Sequence, residues 1–184
     1  MKIWNPFVLN IAIITMSFAL VGIGCSKKSN HESTNISSSD TISAIDPGVS
    51  VGNVQKGMTV EQVVEKLGEP NKRSAFILEY PQLGFSVMFG KKNTALVVFC
   101  GDASGLPNSP LVKAFTARTK EGIGMGSSRA DIVKAYGETK DTIPLPPGEQ
   151  NLPGRDSLVY KKLGLTFSLV DDKVYHIIVD FRQF

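Results

Sequence analysis

GMTVEQVVEKLGE, residues 57–69, returns without gaps as GSSRADIVKAYGE, residues 126–138. A repeat of this kind is settled first, because it constrains every later assignment. Each copy reads as a short helix with its own start and stop. Thr59 with Gln62, and Ser128 with Asp131, have the spacing of a capping box, in which the first side chain satisfies an orphan amide group at the helix start and the second reaches back. Val60, Val63, Val64 and Leu67 fall on one helical face, as do Ile132, Val133 and Tyr136, and Gly68 and Gly137 stop the helices where a positive φ is needed.

Beyond each helix the apolar pattern changes to strict alternation. Phe85, Val87 and Phe89 alternate with Ser86 and Met88, and Leu165, Phe167 and Leu169 with Thr166 and Ser168. Residues 80–99 align with 160–179, matching Tyr80 with Tyr160, Leu83 with Leu163 and Gly84 with Gly164. Turns at Lys91-Lys92-Asn93 and Asp171-Asp172-Lys173 lead into further strands, 95–100 and 174–181. The expected fold is therefore α+β: duplicated units of one helix and a small antiparallel sheet, with the helices layered on one face of a curved sheet. The first repeat with its connector takes residues 54–121, and the second 122–184.

The pattern G-M-T-x-x-x-V-x-x-x-L-G-x-P, from Gly57 to Pro70, resembles the small lipoproteins of the SmpA/OmlA type, an accessory subunit of the outer-membrane β-barrel assembly machine. Its tandem duplication, with G-I-G-M-G-S-S before the second helix, resembles the β-lactamase-inhibitor-protein fold, which presents a curved sheet to its target. The second copy departs from the pattern, with Thr139 at the position of Pro70. The resemblance implies a protein-binding role. Its motif residues are caps and turns, so it implies no catalytic residue.

The first 24 residues carry one charge, Lys2, ahead of an apolar run from Phe7 to Gly24, the anatomy of a secretory signal. A retained membrane anchor is the rival reading of that run, because its length is at the lower edge of what spans a bilayer. Gly22-Ile23-Gly24-Cys25 resembles the lipobox of bacterial lipoproteins, which implies cleavage after Gly24 and lipidation of Cys25. Ser26 rather than Asp then favours outer-membrane sorting in a two-membrane host. Residues 25–53, rich in Ser and Asn, read as a flexible tether.

The remaining chain yields few chemical candidates. Twenty basic and seventeen acidic residues are scattered, without the clustering that marks a nucleic-acid surface. Cys100 lies in an apolar run and reads as a small strand hydrophobe, leaving no intramolecular disulfide once Cys25 is lipidated. The glycines of 122–126 lack a phosphate-loop spacing and read as a turn. His176 has no second structured histidine and no Ser or Cys motif to form a catalytic or metal set, so neither an enzyme nor a cofactor or metal is expected. It is placed instead on the outward face of the last strand with Val174, Ile178 and Asp180, opposite Tyr175, Ile177, Val179 and Phe181. Met88, Leu96 and Val98 are its outward counterparts in the first copy, and Pro146 and Pro147 lie in a proline-rich insertion, 141–154. Met88, Leu96, Val98, His176, Ile178, Pro146 and Pro147 are accordingly the expected partner-binding residues. The expected function is a lipid-anchored envelope scaffold or interaction module; the alternative is an inhibitor of a secreted or periplasmic enzyme.

Overall fold

The computed structural model describes residues 44–141 and 155–182. Gly24, Cys25, Pro146 and Pro147 lie outside them. Among the described residues the fold is α+β, with more strand than helix. Strands β1 (Ala44–Asp46), β2 (Ser50–Val51) and β3 (Val54–Gln55) come first, then helix α1 (Val60–Leu67) and strands β4 (Lys72–Arg73), β5 (Ile77–Tyr80), β6 (Phe85–Phe89) and β7 (Ala95–Gly101). A five-residue helix α2 (Pro110–Ala114) and strand β8 (Arg118–Thr119) lead to helix α3 (Arg129–Tyr136) and strands β9 (Arg155–Tyr160), β10 (Leu165–Val170) and β11 (Lys173–Asp180). Short 3-10 turns at Pro81–Leu83 and Lys161–Leu163 join β5 to β6 and β9 to β10.

These strands form two sheets, a seven-stranded one in the order β4-β5-β6-β7-β11-β10-β9 and a four-stranded one in the order β3-β2-β1-β8. Two apolar rows cross the large sheet from β5 to β9. Tyr80, Phe85, Cys100, Ile177, Phe167 and Leu158 are successive cross-strand partners in one, and Leu78, Val87, Val98, Val179, Leu165 and Tyr160 in the other. All twelve belong to a single buried cluster, which also takes in Val63 of α1 and Ile132 of α3. Fully burying an apolar side chain of this size is worth about 1.5–3 kcal/mol, so these rows dominate the stability of the sheet.

Both capping boxes form. The Thr59 backbone N–H donates to Gln62 Oε1 at 2.9 Å and the Ser128 N–H to Asp131 Oδ2 at 2.9 Å, while the hydroxyls accept from the Gln62 and Asp131 amides. Corresponding positions elsewhere also make corresponding bonds. The Tyr80 hydroxyl donates to the Gly68 carbonyl and the Tyr160 hydroxyl to that of Gly137, so each tyrosine ties a strand end to the close of a helix.

Two sequence expectations need correction. The composition reads as a tether over residues 25–53, yet Ile45 and Val51 are buried in the core cluster and β1 lies between β2, antiparallel, and β8, parallel. Two isolated apolar residues among Ser, Gly and Asp carry little compositional weight, and here a partner strand far along the chain supplies the order. The second correction concerns strand faces. A bulge in each of the two central hairpins, between Met88 and Phe89 and between Ser168 and Leu169, breaks the alternation. Val174 therefore points into the core together with Ile177, and Val98 does so with Ala95. The second hairpin is also one residue shorter, because Phe89 pairs with Ala95 whereas Leu169 pairs with Val174.

Candidate functional site

At the end of β7 the chain must leave the sheet, and Gly101 makes the exit possible. Its φ is +82°, and a Cβ there would collide with the Tyr175 carbonyl oxygen. The next residue, Asp102, is buried; its Oδ1 accepts from the Ser104 backbone N–H at 2.8 Å and from the Ser104 hydroxyl at 2.5 Å, closing a tight turn. Ser109 then caps α2, with its hydroxyl accepting from the Val112 N–H. Because Gly84 has no side chain, α2 packs against the turn before β6: a Cβ at Gly84 would strike the Leu111 carbonyl and the Phe115 amide.

This arrangement encloses a cleft of about 260 Å³ between the 3-10 turn at Pro81, the start of β6, the ends of β7 and β11, and α2. Phe85, Phe99, Pro81 and Leu111 supply its apolar wall, while Glu79, Ser86, Asp102, Ser104 and His176 supply its polar groups. His176 is 6% exposed, and its ring stacks on Phe99 with centroids 6.2 Å apart and planes within 2°. Its Nε2 is buried without a hydrogen-bond partner. Burial holds the imidazole down at about 4 despite the opposing charge of Asp102, so the ring is neutral at pH 7. Burial pushes the Asp102 carboxyl up, but the Ser104 and Ser109 hydrogen bonds and the nearby imidazole outweigh it and keep the group below its ordinary value.

Ser, His and Asp side chains thus share one cleft, but not as a nucleophilic set. A triad needs a serine hydrogen-bonded to the imidazole. Here Nε2 is unpartnered and the Ser104 hydroxyl donates to Asp102 instead. Among the described residues, no group of three His, Cys, Asp or Glu side chains is placed to hold a metal.

Of the expected partner-binding residues, Met88, Leu96 and Ile178 are partly exposed. Val98 is fully buried in the core and His176 is buried in the cleft, so neither is a surface contact. The bulges account for Val98, and packing beside Asp102 and Phe99 accounts for His176. Cys100 is a free, fully buried strand residue, and burial pushes its thiol up. Glu79, Ser86, Asp102 and Ser104 were not singled out from sequence; the one available signal was the polar Asp-Ala-Ser turn following a long apolar strand.

No family model and no curated protein matches the chain. The chain has a likeness to a crystal structure of an extracellular protein containing a SCP domain from Bacillus anthracis str. Ames, at 13% identity and a TM-score of 0.38, over 85% of this chain and 49% of that one. The chain therefore spans about half the length of that protein. No helix among the described residues is long and apolar enough to cross a membrane.

Proposed function

We propose that the chain is a tandem duplication of one helix-and-sheet unit, its helices laid on the core face of the large sheet, held at the cell envelope by a lipid on Cys25. Its function is to bind another envelope protein through the opposite face of that sheet. The observation that carries this reading is the set of partly exposed apolar side chains on the non-core face. Ile77 pairs across the strands with Met88, and Phe99 with Ile178. Apolar side chains grouped on a partly solvated face mark a contact surface. The matched capping boxes and tyrosine bonds support the duplication, and the G-I-G-C sequence supports the anchor. A lipidated cysteine carrying two or more chains holds a protein on a bilayer stably, at about 0.8 kcal/mol per buried methylene.

Photo-crosslinking side chains placed in cells at Met88 and Ile178, with the exposed helix position Lys66 as reference, test the docking face. A discrete adduct with an envelope protein from the first two positions and none from Lys66 is expected. Equal labelling at all three, or none, overturns the reading. An adduct with a soluble enzyme whose activity falls stoichiometrically on mixing would move the assignment to an inhibitor. The anchor is tested separately by Cys25→Ser, which is expected to shift the protein from the membrane to the soluble fraction; unchanged fractionation refutes lipidation.

A further inference from the structure

The cleft beside His176 is rich in hydrogen-bond acceptors and poor in donors. Asp102 and Glu79 present carboxylates, the neutral imidazole offers the lone pair of one ring nitrogen, and the only side-chain donors besides that ring are the hydroxyls of Ser86 and Ser104. The Ser104 hydroxyl is already committed to Asp102. Lysine and arginine are absent from the lining; Lys72 reaches Glu79 at 3.4 Å from outside, in an exposed pair, which leaves Asp102 as the buried charge. His176 Nε2 adds a polar nitrogen buried without a partner beside that carboxylate.

We propose that this cleft binds a primary ammonium group on a short apolar stem. The ammonium sits beside the Asp102 carboxylate and against the His176 ring, while the stem lies against Phe85, Phe99 and Leu111. Aromatic rings near the charge add a cation–π attraction. At a liquid packing of about 30 Å³ per non-hydrogen atom, the 260 Å³ volume accommodates about eight such atoms. A free alkylamine and a lysine side chain of a protein partner share this chemistry. The inference stands on the cleft alone and survives if the docking face proposed above proves wrong.

The test is titration of the full chain at pH 7 with n-butylammonium, 1-butanol and butyrate, followed by NMR on the His176 imidazole, with His31 as the internal reference. A saturable shift of His176 but not His31 is expected with butylammonium, at least tenfold tighter than with butanol, and none with butyrate. Asp102→Asn, which keeps an acceptor for Ser104, is expected to weaken butylammonium at least fivefold. Ser86→Leu, at a partly exposed position, is expected to abolish the shift by filling the cleft, with thermal unfolding checked to show that both variants fold. A capped Ala-Lys-Ala peptide distinguishes the sources: tighter binding than butylammonium assigns a partner's lysine, and weaker binding a free amine. Absence of a saturable shift with either amine, equal affinity for butanol, or a shift that persists in folded Ser86→Leu overturns the proposal.

Discussion

His176 is carried into the folded state as a neutral ring, and the cost appears on the acid side. Its folded value of about 4 lies below that of a solvated imidazole, so between these values the unfolded chain binds a proton that the folded chain does not. The stability this group contributes is complete above pH 6.5, falls as the pH drops toward 4, and is lost below that, about 3 kcal/mol in all. Urea midpoints measured across this window should fall with pH, and His176→Gln should flatten the profile. Gly84 makes the opposite demand, for space. It adopts a left-handed φ of +72° and touches the backbone of α2, so Gly84→Ala should cost about 2 kcal/mol or more by equilibrium unfolding. Neither property was legible in the sequence. His176 lies on the face opposite Ile177 and Val179, as alternation requires, but its burial depends on Phe99 and Asp102, which strand pairing brings to it from far along the chain and which no local pattern announces.

Helix ends were the most legible elements, because a cap is a local event: Thr59 and Gln62, like Ser128 and Asp131, meet within one turn whatever the rest of the chain does. Thr59→Ala and Ser128→Ala should each cost about 1 kcal/mol. Tyr80→Phe and Tyr160→Phe should each lose about 1 kcal/mol through the hydroxyl that ties strand to helix. A duplicated unit predicts similar losses for the two tyrosines in urea titrations. Arg129, bonded to both Asp156 and Asp172, is a weaker tie between α3 and the hairpin, since all three side chains are at least partly exposed. The cleft was illegible at this scale for the converse reason. Asp102 and His176 meet only because β7 pairs with β11, so their proximity is a property of sheet order.

In the whole molecule, strands β6, β7, β10 and β11 followed from the apolar pattern, whereas β5, β9 and the four-stranded sheet did not. Its strands have two or three residues each, below the length at which periodicity can be recognised, and the parallel contact joins Ala44 and Ile45 to Arg118 and Thr119. Those strands are nonetheless part of the core. Ile45→Ala should cost about 2–4 kcal/mol by urea unfolding, as a large-to-small change in a packed interior does; a loss under 0.5 kcal/mol would place residues 44–46 outside the cooperative unit. The position of β1 also has a mechanical consequence. Traction from the N-terminal side reaches the described fold first at Ala44–Asp46, a three-residue strand held on both edges, while every strand of the large sheet lies after residue 71. The small sheet acts as a strain relief: under a stretching force it should yield in a short first step and leave the seven strands and the cleft at their end intact.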